Sequence, residues 1–129
     1  MIAAFDIALS GLAAAARRTA NAANNIVNVR STGAAHPGDP TGYTPQRTAQ
    51  VSLATGGTRA LSLPLIPPSI ESFEPDSPDA GPDGIVLRPR VSLEFEIVEL
   101  GVAARAYEAS LAVIRTANQM SRALLDSLS

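Results

Sequence analysis

The stretch LEFEIVELGVAARAYEASLAVIRTANQMSRALLDSL, residues 93–128, decides the fold of this 129-residue chain. Its apolar residues recur at alternating steps of four and three, which is the heptad pattern of a helix with one narrow seam. The seam comprises Leu93, Ile97, Leu100, Ala104, Tyr107, Leu111, Ile114, Asn118, Ser121, Leu125 and Leu128. A long helix with so narrow a seam buries little surface by itself, so the pattern predicts a partner helix.

The ends of this stretch carry the signals of helix termini. Ser92 is placed to cap the first turn, and Glu94 and Glu96 follow where the helix dipole favours negative charge. Arg115 and Arg122 lie towards the other end, where positive charge is favourable. We therefore expect one uninterrupted helix from the start of the stretch to its end.

A second heptad stripe opens the chain and predicts a helix over about residues 3–28. Its members are Ile2, Phe5, Leu9, Leu12, Ala16, Thr19, Ala23 and Ile26. Alanine, the best helix former, fills the flanks of the stripe. Small side chains at several of these positions would let another helix approach closely.

Four asparagines crowd the end of this first helix: Asn21, Asn24, Asn25 and Asn28. Asparagine is a mediocre helix former, so helix propensity does not explain them. One interpretation is fraying and capping of the helix terminus. The other is that the amides form hydrogen bonds with neighbouring helices or chains across a packed interface, and the sequence leaves both open.

The middle of the chain predicts a small insert. Glycines and prolines in residues 31–42 predict a connector without regular structure, in which His36 is a solvated loop residue. Residues 50–53 and 59–66 predict strands joined at Gly56-Gly57, with prolines restricting the later part to an edge strand or open loop. Residues 74–84 predict a loop, and residues 85–87 a further short strand.

These elements predict a mainly α fold with a small β-rich or irregular insert. Residues 1–30 and 91–129 form one α-helical domain in which the terminal heptad helices pair as an antiparallel coiled coil. Residues 31–90 are the insert, which we expect to cap one end of the helix pair.

Composition argues against most chemical functions. The net charge is −2 and aromatic residues make up 4%, which gives no basis for nucleic-acid binding. With one histidine and no cysteine, we expect no catalytic residues, no metal site, no cofactor and no small-molecule substrate. Asp76, Asp79 and Asp83 lack the spacing of an EF-hand loop and predict a solvated acidic turn.

The apolar run over residues 7–16 is not expected to be a cleaved signal peptide. It is preceded by Asp6 and followed by Arg17 and Arg18, whereas a secretory signal carries its positive charge before the apolar region. At ten residues it is also too short to span a bilayer.

Both ends of the chain resemble the flagellar basal-body rod family, which also includes hook and hook-associated proteins. Residues 5–14 (FDIALSGLAA) and 24–28 (NNIVN) are similar to the family's opening "S-G-(L/M)-x-A … N-N-I-A-N" signature. Residues 104–110 (ARAYEAS) resemble its "A-x-R-A-Y-E-A-N" helix, with Ser110 in place of the asparagine. Residues 77–86 (SPDAGPDGIV) are similar to a run of the family's proximal-rod subunits. An insertion over residues 30–40 departs from the family pattern.

The resemblance implies a structural rod subunit whose terminal helices form the inner layer of a helical tube. Its partners would be other rod subunits, copies of itself and the flagellar type III export apparatus. It would lie in the rod spanning the periplasm, exported without a cleaved signal. A soluble helical adaptor or export chaperone is the alternative. The expected contact residues are Phe5, Leu9, Leu12, Asn24, Asn25, Ile26, Asn28, Ile97, Leu100, Ala104, Tyr107, Leu111, Ile114 and Asn118.

Overall fold

A computed structural model describes residues 2–35 and 42–128 of the chain. Two helices enclose five short strands in chain order: α1 (Ile2–Val27), β1 (Gly33–Ala34), β2 (Gln46–Ser52), β3 (Thr58–Pro64), β4 (Ser69–Phe73), β5 (Ile85–Pro89) and α2 (Leu93–Leu128). The prediction of a mainly α fold with a small insert is confirmed, and the insert is β-rich. The interpretation of His36 as a loop residue lies outside the described residues.

The two helices lie side by side and run in opposite directions. Arg18 of α1 meets Glu99 near the start of α2, whereas Gly11, nearer the start of α1, lies beside Ser110, further along α2. Ser92 caps α2 as predicted, because its Oγ accepts a hydrogen bond from the backbone N–H of Phe95 at 3.3 Å.

Small side chains form the contact between the helices. Ala14, Ala15 and Ala22 of α1 and Ala103 of α2 are fully or almost fully buried. A Cβ built on Gly11 would lie 2.8 Å from Ser110 Oγ, so the glycine allows the second helix to approach closely. The core of the helix pair is therefore largely alanine.

Strands β2 and β3 form an antiparallel hairpin that lies along α1. The pairing extends from Gln46 with Pro64 to Ser52 with Thr58, so β2 begins four residues earlier than predicted. The turn contains Gly56 and Gly57 at φ of 89° and 86°, a conformation that favours glycine.

The position of this hairpin differs from the expected cap on one end of the helix pair. At the turn, the backbone N–H of Thr58 donates to Ser10 Oγ at 3.1 Å. At the other end of the hairpin, Asn21 bonds to Thr48 and Ser62. These bonds attach both ends of the hairpin to α1, so the hairpin lies along the helix.

The remaining strands form a three-stranded antiparallel sheet in the order β1-β5-β4. The prediction that residues 31–42 lack regular structure is wrong at Gly33 and Ala34, which pair with Leu87 and Val86. Of the two outcomes predicted for the proline-containing part, edge strand or open loop, the structure has an edge strand, β4, which follows the Pro67-Pro68 pair. The predicted loop over residues 74–84 is present.

Candidate functional site

A cluster of polar side chains joins α1, α2 and the β2–β3 hairpin. We call it the polar junction; its members are Arg18, Asn21, Asn25, Tyr43, Gln46, Thr48, Ser62, Glu96 and Glu99. Part of the junction lines a cavity of about 370 Å³ between the hairpin and the two helices. The hydrogen bonds of the polar junction connect elements that are distant in sequence.

Asn25 is the centre of the junction and is 2% exposed. Its Nδ2 donates to the backbone carbonyl of Gln46 at 2.7 Å and to Glu96 Oε1 at 2.8 Å. Its Oδ1 accepts from Tyr43 Oη at 2.8 Å and from the backbone N–H of Gln46 at 3.0 Å. One amide thus connects the end of α1 to the start of the hairpin and the first turn of α2.

The four asparagines divide between the two interpretations that the sequence left open. Asn21 and Asn25 form hydrogen bonds between elements, since Asn21 Nδ2 donates to Thr48 Oγ1 and Ser62 Oγ at 2.8 and 2.9 Å. Asn28 belongs to the helix terminus, because its Nδ2 donates to the Asn24 carbonyl at 2.8 Å. The Asn24 side chain is exposed.

Two glutamates of the junction have opposite electrostatic environments. Arg18 donates to both carboxylate oxygens of Glu99, and these hydrogen bonds hold the pKa of Glu99 below its usual value. Burial raises the pKa of Glu96, and the neighbouring charge of Glu99 raises it further. Burial also raises the pKa of Tyr43, with a further contribution from the charge of Glu96.

The side chains of the junction are the donors and acceptors of a hydrogen-bond network that joins the helices to the hairpin. No group of three or more His, Cys, Asp or Glu residues that could hold a metal ion occurs within residues 2–35 and 42–128. In the same part of the chain, neither helix is long and apolar enough to cross a membrane.

The expected contact residues of α1 are distributed around the helix. Asn25 is buried. The half-buried members are Phe5, Leu12, Ile26 and Asn28, and the exposed ones are Leu9 and Asn24. The α1 face that is buried instead comprises the alanines at positions 8, 14, 15 and 22 together with Asn21 and Asn25.

On α2, most of the expected contact residues lie outside the surface that is buried against α1. Ile97 is 56% exposed and Tyr107 is 42% exposed, and Ala104 and Asn118 are exposed as well. Leu100, Leu111 and Ile114 are half-buried. The monomer therefore leaves much of the apolar stripe of α2 uncovered.

The row of α2 residues that faces α1 is offset by one position from the predicted stripe, so that Glu96 and Ala103 are buried in place of Ile97 and Ala104. Glu96 and Ala103 are its buried members, and Ser110 and Ala117 continue it at the same spacing of seven. Sequence reasoning missed this row because it followed the largest apolar residues. The signal that could have found it is the recurrence of small residues every seven positions along an alanine-rich helix.

Comparison with known proteins identifies the family to which this sequence is related. Residues 84–127 match the family model for the C-terminal part of flagellar basal body rod FlgEFG proteins. The chain is 36% identical over 126 residues to the flagellar basal-body rod protein FlgC of Salmonella typhimurium, which covers 90% of this chain and 89% of that protein. It is 29% identical over 135 residues to FlgC of Agrobacterium fabrum, covering 98% and 94%.

The FlgC protein of Escherichia coli O157:H7 is 34% identical over 126 residues, with coverage of 90% and 89%. These similarities include both helices and the insert, since each extends over at least nine-tenths of the chain. The chain therefore belongs to the FlgC family of flagellar basal-body rod proteins.

Proposed function

We propose that this chain is a structural subunit of the bacterial flagellar basal-body rod. It assembles through its terminal helices into the axial shaft that transmits torque from motor to hook, and it catalyses no reaction. Its family and the names of its FlgC relatives support this role. The observation that carries it is the distribution of apolar side chains between the inside and the outside of the helix pair.

That distribution is the reverse of what a self-sufficient helical domain needs. Among the described residues, the buried apolar side chains are small: five alanines, Val86, Pro45 and Pro89. The large apolar side chains of α2 lie outside instead: Leu93, Phe95, Ile97, Val98, Val102, Tyr107, Val113, Met120, Leu124, Leu125 and Leu128 are exposed. Apolar surface on this scale is typical of an interaction surface, and a helical assembly would cover it.

The terminal helices form the assembling unit in this proposal. They pair as an antiparallel coiled coil, with Glu96, Ala103, Ser110 and Ala117 at seven-residue spacing on the seam of α2. Residues 1–30 and 91–129 are then one helical domain, and residues 31–90 make lateral contacts. The stripe containing Ile97, Leu100, Ala104, Tyr107, Leu111, Ile114 and Asn118 meets neighbouring rod subunits and copies of this chain. On α1, Phe5, Leu9, Leu12, Ile26, Asn24 and Asn28 do the same, whereas the buried Asn25 bonds within the chain.

The same proposal places the chain in the rod across the periplasm. It would arrive through the flagellar type III export apparatus without cleavage of a signal peptide. Residues 7–16, whose apolar character resembles the core of a signal peptide, lie within α1. Ala14 and Ala15 of this stretch are buried in the helix pair.

Isolation of basal bodies tests the proposal. We expect the chain in basal bodies purified from a motile strain, and in the cytoplasm of a strain whose flagellar export apparatus is inactive. Deleting the gene should abolish motility, with recovery on complementation. A soluble adaptor or chaperone would instead stay cytoplasmic in both strains and be absent from basal bodies, and that result would reject the rod assignment.

A further inference from the structure

The three-stranded sheet lies apart from the other elements of the structure. Among the described residues, no Cα atom of β1, β5 or β4 lies within 8 Å of a Cα atom of either helix or of the β2–β3 hairpin. Structural units that share only a small contact move relative to each other unless specific interactions hold them. The orientation of the sheet therefore depends on the segments that connect it to the helices and the hairpin.

Residues 42–45, which we call the linking segment, pack against the sheet on one side and continue into β2 on the other. A Cβ built on Gly42 would lie 3.6 Å from the Cα atom of Gly33 in β1. The first three residues of the segment line a cavity of about 110 Å³ together with Leu87 and Pro89 of β5. The position of the linking segment thus determines the position of the sheet.

Tyr43 bonds the linking segment to a helix. Its Oη donates to Asn25 Oδ1, near the end of α1, at 2.8 Å. The Asn25 amide is 2% exposed and is also bonded to both backbone groups of Gln46 and to Glu96. Because these bonds hold the amide in one orientation, its oxygen is a fixed acceptor for the Tyr43 hydroxyl.

We propose that the Tyr43 hydroxyl fixes the orientation of the three-stranded sheet relative to the helix pair. Tyr43 is a positioning residue, since it acts on the sheet through the linking segment. The use of this fixed orientation rests on the proposed function, in which the insert makes lateral contacts in the rod. The insert exposes Ile66, Ile70 and Phe73, and a fixed sheet presents them to a neighbouring subunit in one direction. A surface that is already ordered loses less conformational entropy on binding.

Spin labels on the purified full-length chain measure the orientation of the sheet. The chain has no cysteine, so pairs of labelled cysteines can be introduced at chosen exposed positions. The sheet pair combines Glu71→Cys in β4 with Arg115→Cys in α2, and the hairpin pair combines Arg59→Cys in β3 with the same α2 position. We expect a single narrow distance distribution for each pair while Tyr43 is present.

The variant Tyr43→Phe deletes the hydroxyl, keeps the ring and leaves the bonds between Asn25 and Gln46 in place. We expect the fraction of molecules outside the original sheet-pair distance to rise about twofold to tenfold, the factor that one lost neutral hydrogen bond gives. The hairpin-pair distance should stay unchanged. Thr44→Val is the matched control, because it removes a hydroxyl from the adjacent, exposed side chain of the same segment and should change neither distance.

Three results would overturn the inference. They are an unchanged sheet-pair distance in Tyr43→Phe, a broadening of both distances, which would mean that Tyr43 supports the whole fold, and a sheet-pair distance that is already broad while Tyr43 is present. An equal effect of Thr44→Val would overturn it as well, because the hydrogen bond to Asn25 would then not be the cause.

Incorporation into basal bodies separates this inference from the proposed function. When Tyr43→Phe competes with wild-type protein in the same cells, we expect it to incorporate less well than Thr44→Val does. Equal incorporation together with a broadened sheet-pair distance would confirm the positioning role and reject its use in assembly. Absence of the wild-type protein from basal bodies would reject the rod assignment, whereas the distances measured on the purified chain would still decide the role of Tyr43.

Discussion

Arg18 and Glu99 form a two-bonded ion pair that joins the middle of α1 to the start of α2. Arg18 Nε and Nη2 donate to the two carboxylate oxygens at 2.6 and 2.9 Å. Both side chains are largely buried, so water and salt screen the pair less than they screen pairs on the surface. Because the partners are 81 positions apart, the pair directly connects the N-terminal and C-terminal helices.

Removal of Arg18 should destabilise the helix pair. Arg18→Ala leaves Glu99 partly buried beside Glu96 without its cation. We expect a loss of about 1.5–3 kcal/mol in the free energy of unfolding, as for hydrogen bonds to charged groups. Urea titration at pH 7 measures it. Arg105→Ala, which breaks the exposed pair with Glu108, should cost a few tenths of a kcal/mol at most. Equal losses for the two variants would contradict the prediction.

Asn25 should be among the most sensitive positions in the chain. Asn25→Ala leaves the Tyr43 hydroxyl and both backbone groups of Gln46 without their partner, and it removes the bond to Glu96. A fully buried unsatisfied group costs about 1–3 kcal/mol, and because these three groups are only partly buried we expect a total loss of about 2–4 kcal/mol in unfolding free energy. Asn24→Ala is the control and should stay within about 0.5 kcal/mol, because that side chain is exposed. If the melting temperatures of the two variants differ by less than the experimental error, Asn25 does not have this central role.

Glu96 and Glu99 should give opposite pH dependences. The pKa of Glu96 is raised in the folded protein, so its contribution to stability is greatest below the unfolded value of about 4.3 and falls as pH rises through the folded pKa. The pKa of Glu99 is lowered, so its contribution is present above about 4.3 and is lost as pH falls through the folded pKa.

Glutamine variants test both signs. At pH 7, Glu96→Gln should be at least as stable as the wild-type chain, and Glu99→Gln should be less stable. At acid pH both glutamates are protonated, so each difference should shrink as the pH is lowered. Urea titrations from pH 3 to pH 8 measure these changes. The result that contradicts the assignment is a stability gain from Glu96→Gln that grows on acidification.

Gly11 and Ser110 should be energetically coupled. Alanine at position 11 gains about 1 kcal/mol of helix propensity, but its Cβ would lie 2.8 Å from Ser110 Oγ. We expect Gly11→Ala to stabilise the chain more when Ser110→Ala is also present. Coupling energies between residues in contact are about 0.5–3 kcal/mol, and a double-mutant cycle measures this one. Strict additivity would mean that the helices do not approach closely here.

Leu111 tests whether the uncovered stripe of α2 is an assembly surface. Leu111 is half-buried in the monomer, and its neighbours on the stripe are Tyr107 and Ile114. If a neighbouring subunit covers the stripe, Leu111→Arg buries an unpaired guanidinium, which costs several kcal/mol, on the order of the stability of a small domain. We expect this variant to abolish incorporation into the rod and motility while leaving export intact.

The exposed Arg115, four residues further along α2, provides the control. Arg115→Ala should assemble and support motility, because a solvated charge contributes little. Normal assembly of Leu111→Arg would show that the stripe is not an interface. Failure of Arg115→Ala alone would mean that charge on the outer face is the recognised feature.

Local patterns in the sequence determined the elements of this protein. The two helices follow from period and composition within each stretch, and their ends agree with the predicted ones to within a residue. The Ser92 cap and the glycine turn at Gly56 and Gly57 were predicted for the same reason. Helix propensity, capping and positive-φ turns depend on a few adjacent residues, so they can be read without the rest of the chain.

Tertiary structure alone decided which faces of these elements meet. The stripe of large apolar residues predicted that Ile97 and Tyr107 face the partner helix. In the structure both are exposed, and Glu96 and Ala103 are buried. Small side chains allow closer helix contact, and the Asn25 amide bonds to Gln46 and Glu96 only when the hairpin and both helices are brought together. The pairing of two helices depends on residues tens of positions apart. The periodic pattern of one helix does not show which of its faces meets the other helix.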